Sequence, residues 1–572
     1  MAKGYRPVRR DEVFLLPPSM RDWLSADHPV WLVIRAVQVM DTGPFHDRRR
    51  TGGAGTAGYD PDMLVTVLAW AYAHQVTSSR RIEELCRTDV AFRVICGGNL
   101  PDHTTIARFR ADFAGPVAAF FAGVLGLCAQ LGMGKLGVVA LDGTKIAASA
   151  SKSANRTEGT LRKLAGETVA RHGRDDAAED DLFGEGRRGD EVPGDAWSPR
   201  SRDARIAAAL ASLRAAREAA EAERDEQASA YLEKARAGRP PAGKRPAGTG
   251  AGAARIAVEQ ATAAQQAKIE DRERRDARNR AAGGGGLRNP PRRPASAHVR
   301  VRAKNAALER AIQRAARDER RAAEKQDRRK GPGPVRNITD PDSRLMPVRG
   351  GGFIQGYNAQ LVTTEDGLII AAALTRDTGD TAWLQPMMAA AGTAAAIITA
   401  RQPASSPGSG SRARPPAGYQ PPRGDGQPRY AGPIGLFLAD AGYCSEDNIT
   451  APGPPRLIAT GKRRDLERAA RDSDPAQQSA RQHTAAMAAL LQTEDAITAY
   501  RRRGHIAETP NGDLKHNKGF RQLSVRGLAR TSGELTFTAA TLNLFKAIST
   551  GHLTHTALDH LTTPPGTPAS PA

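Results

Sequence analysis

LGVVALDG (residues 136–143) is a short apolar run that ends on an acidic residue and a glycine. That profile predicts a buried strand. It returns at IGLFLADAGY (434–443). Asp142 and Asp440 then stand at the C-terminal ends of two buried strands. One aspartate after a strand is usually a turn residue or a helix cap. Two in the same context, in a basic chain, favour chemistry, because a carboxylate is costly to bury alone and makes sense as a metal ligand at the edge of a sheet.

GFIQGYNAQLVTT (352–364) and GLIIAAALT (367–375) read as two more strands, with Glu365-Asp366-Gly367 as a hairpin turn between them. RLIAT (456–460) reads as a further strand. Residues 1–130 read as helical. PDMLVTVLAWAYAHQV (61–76) carries apolar residues at helical spacing, and RRIEELCRTDVAFRVICGG (80–98) continues the pattern to a stop at Gly97-Gly98. In PDHTTIARFRADF (101–113), Asp102 or Thr104 caps a helix whose apolar side holds Ile106 and Phe109, with Arg108 and Arg110 on its exposed side. Short helices with tight turns suit docking on DNA, although a plain helical bundle gives the same pattern.

The organisation expected is α/β: a helical N-terminal DNA-binding domain over 1–130, and a core from 131–155 and 345–550. An Ala-, Arg- and Glu-rich insertion over 156–344 reads as helical hairpins or a coiled-coil arm with disordered linkers. Disorder is expected at 403–429 and in the tail 551–572.

The chain carries 83 Lys and Arg against 62 Asp and Glu, a formal charge of +21. That excess favours a polyanionic partner, most simply nucleic acid, though a solvated basic surface has the same composition. Cys86, Cys96, Cys128 and Cys444 form no CxxC pair, which argues against zinc. Neither a signal peptide nor an apolar stretch of membrane-spanning length is seen, so a cytoplasmic, nucleoid-associated location is expected.

The third acid is Glu508, in AYRRRGHIAETPNGDLKHNKGFRQLSVRGLAR (499–530), among a dense set of cations that includes Arg503, Lys515, Arg521 and Arg526. On a helix Glu508 and Lys515 share a face. A solvated charged helix is the common fate of such a run. Strand-LDGTK, then DPDSRLM and GYNAQ with an apolar hairpin, then LADAGY, then Y-x7-E-x6-K with trailing RGL, resembles the DDE transposases of bacterial insertion sequences; PDHTTIARFR is similar to the segment that precedes their catalytic core. The resemblance covers about 58–155 and 338–548.

That resemblance implies an RNase H-like mixed sheet flanked by helices. It implies Asp142, Asp440 and Glu508 as catalytic and metal-binding residues, and Tyr500 and Lys515 as the family's tyrosine and lysine near the glutamate. Mg²⁺ is the expected cofactor, with Mn²⁺ as a substitute. Arg108, Arg110, Lys145, Arg503, Lys515, Arg521 and Arg526 are the expected DNA contacts. A homodimer on DNA is expected, since two element ends must be brought together. Thr509-Pro510-Asn511-Gly512 after Glu508 is poor helix interior, which places Glu508 at a helix start or in a loop and leaves Asp513 and Glu534 as alternative third ligands. Rival readings are a metal-dependent nuclease on the same fold, a catalytically inactive DNA-binding relative, and a coiled-coil scaffold. The last does not explain LDGTK or LADAGY.

Overall fold

The computed structural model describes residues 19–47, 58–113, 115–167, 202–238, 245–282, 293–328, 334–348, 350–403, 415–417, 419, 430–461 and 482–562. The linkers expected within the insertion fall largely outside these residues, as does most of 403–429. The chain forms two compact units, one of residues 1–155, 337–466 and 483–572, the other of 156–336 and 467–482.

The first unit is built on a mixed sheet. Its strands are β1 (Val138–Ala147), β4 (Arg344–Pro347), β5 (Phe353–Thr364), β6 (Ile369–Thr375), β7 (Leu436–Ala439) and β8 (Arg456–Ile458). Short strands β2 (Asn155–Thr157) and β3 (Val335–Asn337) pair separately. The order is β4-β5-β1-β7-β8, and β6 shares the outer edge of β5 with β4. β1 is antiparallel to β5 and parallel to β7, and β7 is parallel to β8. Taken through β6, the order β6-β5-β1-β7-β8, with an antiparallel meander and two parallel strands, is the RNase H-like arrangement. Its central strands are near-continuous apolar runs because helices cover them.

GYNAQ explains part of the pairing. Gly356 lies opposite Ala147 on one side and Arg344 on the other. A Cβ at Gly356 would press into the Ile146 carbonyl oxygen, so only glycine lets β1 and β5 approach here.

The N-terminal helices share the core of the sheet. Pro61–Ala73 is buried along nearly its whole length. The helix Leu528–Ser549 packs on β6 and on Val117–Gln130, with Phe537 stacked on Phe113 and Phe120 at ring-centroid distances of 4.5 and 5.4 Å. Local signals act where they stand: Asp102 caps His103–Ala111 through the amides of Thr104 and Thr105, and Gly97, with φ 55°, ends Val90–Cys96.

Three expectations are corrected. Asp142 is not at the end of β1. The strand runs on to Ala147, because β5 continues to pair with it after β7 has stopped. Arg110 is not on the exposed side of its helix but 5% exposed. It lies one turn after Ile106, on the same inward face, and donates to the Thr77 carbonyl and to Tyr72 Oη at 3.5 Å. The tail is ordered through the helix His555–Thr562, which buries Leu558 and pairs Asp559 with Arg35.

The second unit carries three long helices, Arg202–Arg236, Thr249–Ala281 and Val299–Arg328, the middle one packed against both others. Their apolar core is thin, with Ile206, Leu213, Ile256 and Val301 among its buried residues.

Gly356→Ala should lower the stability of the protein by about 1–3 kcal/mol, as overpacking against fixed backbone does. Urea denaturation measures this, and an unchanged midpoint would contradict the close β1–β5 approach.

Candidate active site

The site lies where two ladders end at different heights. β7 pairs with β1 only over Val138–Ala140. Two residues later Asp142 still faces Leu361 of β5 but has no neighbour on the β7 side. Asp440 is the first residue after β7. Its Oδ1 accepts the Gly442 amide at 2.9 Å, which caps the single turn Ala441–Tyr443.

The helix Glu494–Arg503 supplies the third wall. Tyr500 Oη donates to the Ala439 carbonyl at 3.0 Å, which pins this helix to the end of β7. Burial pushes the Tyr500 phenol up to about 12, so it stays a donor. One turn later the Arg503 guanidinium enters the site. Its Nη2 lies 2.9 Å from Asp142 Oδ1 and 3.7 Å from Asp440 Oδ2, and its Nη1 lies 3.8 Å from Glu508 Oε1. The three acids come from three distant stretches of chain and meet around one cation. Glu508 is the loosest of them, with 65% of its side chain exposed against 18% for Asp142.

Glu508 is neither in a loop nor at a free helix start. Helical structure continues from Glu494 through Asn517 by way of two π-helical turns, Gly504–Glu508 and Asp513–Asn517, around a short α-helical piece, Thr509–Gly512. Pro510 is in the first turn of that piece, just after a wide turn, where its missing N–H costs least. The run brings Asn511 back to the site, and its Nδ2 donates to Asp142 Oδ2 at 2.9 Å.

The alternative third acids are engaged elsewhere. Glu534 is fully buried and accepts from Tyr72 Oη, the Ser524 hydroxyl and the amides of Ser524 and Val525. Asp513 accepts from Asn517 on its own turn.

Of the expected DNA-contacting cations, Arg108, Arg521 and Arg526 are exposed, though Arg521 also donates to the Lys515 carbonyl and Arg526 to that of Ser149. Lys515 Nζ donates to the Lys145 carbonyl at 2.7 Å, and Lys145 Nζ donates to the Thr378 carbonyl at 3.0 Å. Burial depresses both lysines. The Arg521 charge lowers Lys515 further, and Asp380 partly restores Lys145. Two residues went unnoticed in the sequence. Asn511 lies in a stretch that reads as a turn. Asp380 lies in TRDTGD, where an acid reads as an exposed loop residue.

The donor set suits a hard divalent cation, because carboxylate oxygens from three segments face one positive centre. Asn511 Oδ1 and Arg503 Nε, both buried beside Asp142, have no hydrogen-bond partner among the described residues. Asp142, Asp440 and Glu508 would hold the ion. With the guanidinium between them, their ligand atoms do not all lie within 4.8 Å of one another. Among the described residues, the group of three whose ligand atoms all lie within 4.8 Å of one another is instead the largely exposed His46, Asp60 and Asp62.

Residues 18–112 match the family described as Transposase domain (DUF772), and residues 466–548 match the family described as Transposase DDE domain. The second match includes Arg503, Glu508 and Lys515 but neither aspartate. No curated protein and no solved structure matches the chain. No described helix is long and apolar enough to cross a membrane.

Burial raises the Asp142 pKa above 3.8, against the opposing pull of Arg503. A carboxyl whose folded pKa is raised weakens the fold wherever it is ionised, and that penalty disappears as pH falls below the unfolded value. Asp142→Asn should therefore raise the thermal midpoint in metal-free buffer at pH 7. The gain should shrink as pH falls through the raised pKa and be gone below 3.8. A midpoint that falls at pH 7 would contradict this balance.

Proposed function

Because the chain belongs to the DDE transposases of insertion sequences, we propose that it cuts DNA at the ends of its element and joins the freed 3′ ends to target DNA. The observation that carries this reading is the meeting of Asp142, Asp440 and Glu508 around a single cationic centre at the open end of an RNase H-like sheet.

In the first step a water oxygen bonds to the phosphorus at the element boundary, the P–O3′ bond breaks in line, and the departing 3′ oxygen takes a proton. In the second, that 3′-OH attacks a phosphorus of target DNA and a target 3′-OH leaves. Mg²⁺, or Mn²⁺ in its place, supplies Lewis acidity for these displacements when held by the three acids. The rest falls to the chain. Asn511 orients the Asp142 carboxylate, and Tyr500 fixes the helix that presents Arg503 and Glu508. Lys515, Arg521 and Arg526 serve in this reading as phosphate-binding cations, so affinity should fall steeply with salt. The exposed Arg108 offers a further phosphate contact, and reading of the terminal repeats falls to the N-terminal helices. Two ends must be joined, so a homodimer on DNA completes the reading.

Wild-type protein should nick a labelled duplex of its element end in Mg²⁺, and Asp440→Ala should lower that rate by more than about 100-fold, the scale of losing a group that stabilises developing charge. Nicking without joining of the 3′ end to a target duplex would reduce the function to that of a nuclease. Tight binding with no cleavage by either protein would remove the catalytic claim.

A further inference from the structure

Asn358 and Gln360, the polar residues of GYNAQ, are both 0% exposed and lie on one face of β5. Buried amides are costly unless hydrogen-bonded. Both donate to the same atom, Asp380 Oδ1, Asn358 Nδ2 at 2.6 Å and Gln360 Nε2 at 2.8 Å. Gln360 Oε1 in turn accepts from the buried Tyr443 hydroxyl, three residues after Asp440. The pairing of β5 with β1 sets these amides opposite the reacting strand, with Asn358 across from Lys145 and Gln360 across from Gly143.

Glycines make room for the carboxylate. A Cβ on Gly143, the residue after Asp142, would stand 2.7 Å from Asp380 Oδ1 and 2.8 Å from Gln360 Nε2. A Cβ on Gly442, two residues after Asp440, would stand 3.2 Å from Asp380 Oδ2 and 3.0 Å from Asp440 Oδ1. The glycines of LDG and LADAG thus admit a fourth acid beside two others, a repulsive placement that needs a cation. Lys145 supplies it. Its ammonium lies 3.6 Å from Asp380 Oδ1 and donates to the Thr378 carbonyl at 3.0 Å, with 17% of the side chain exposed.

We propose that Asp380 is a positioning residue for DNA strand cleavage: clamped by Asn358 and Gln360, it holds the Lys145 ammonium at the rim of the Asp142–Asp440 site, where Lys145 meets a phosphate of the DNA. This rests on the transposase reading and gives GYNAQ a role within it. Asp380 itself touches no reacting atom. An ammonium on a flexible stem is a poor electrostatic stabiliser unless it is held in place beforehand, and the clamp provides that hold.

The test uses the full chain, a labelled duplex of its element end, and the variants Asp380→Asn, Lys145→Met and the double substitution. Asp380→Asn should lower kcat for cleavage by about 10–100-fold, the usual cost of losing a group that orients another, and leave KM for DNA within about twofold. Lys145→Met should lower kcat to the same extent and also raise KM for DNA, through the lost phosphate contact, and the double variant should be no worse than Lys145→Met alone. Additive losses, or an Mg²⁺ requirement raised only in Asp380→Asn, would overturn the proposal in favour of an independent or metal-binding role.

Amine acylation followed by mass spectrometry gives a second readout that needs no activity. Asp380→Asn should speed acylation of Lys145, because the lost charge both frees the amine and lowers its pKa. In the wild-type protein, element-end DNA should shield Lys145. Equal acylation rates in the folded proteins would overturn the proposal, and so would an unshielded Lys145 in the wild-type DNA complex, a readout that stands even if Asp380→Asn failed to fold. If the wild-type protein cut no DNA, the transposase reading would fall, and acylation of the two proteins would still decide whether Asp380 holds Lys145.

Discussion

Three carboxylates that repel one another are held around one guanidinium, and the local architecture is organised by that constraint. Arg503 reaches Asp142, Asp440 and Glu508 because Tyr500 anchors its helix to the last carbonyl of β7. Asp142 is available because β7 ends before it does, and Glu508 because a wide turn follows Arg503 directly. Burial of Asp142 beside a second carboxylate is offset by the Arg503 guanidinium between them.

The sheet holds these acids rigidly. Asp142 rides on a strand paired with β5 from Val139 to Ala147, and β5 is itself flanked by β4 and β6. N-terminal helices and the Leu528–Ser549 helix complete one continuous core, so the regions matched to the two transposase families contribute to a single body. The long insertion leaves this body between Asn155 and Asn337, whose side chains are hydrogen-bonded at 3.1 Å. An excursion that starts and ends at one point costs little more as it lengthens, which is why so long a segment is compatible with the core.

Much of this was legible in the sequence, and the failures have physical causes. β5, β6, β7 and β8 announce themselves as apolar runs bounded by turn residues, and Asp440 is found at the end of its strand. β1 reads as ending at Asp142 because TKIA is too polar to look buried; its pairing with β5 depends on residues two hundred positions away. Pro510 and Gly512 signal a break, yet two π-helical turns carry the helix past them, something propensity does not encode. Arg110 is hidden by its charge: its spacing from Ile106 puts it in the core, where Tyr72 and Thr77 satisfy it. Asp380 and Asn511 carry no local signal. Their roles follow only from which strand ends and helix turns the fold brings together.

The proposal rests on Asp142, Asp440 and Glu508 forming one cation site around the position of the Arg503 guanidinium. Anomalous diffraction from crystals of the protein grown with element-end DNA and Mn²⁺ tests it most directly. Mn²⁺ should be found on oxygens of Asp142, Asp440 and Glu508, with the Arg503 guanidinium displaced toward phosphate. Mn²⁺ found only at His46, Asp60 and Asp62, with Arg503 still among the three acids, would contradict it.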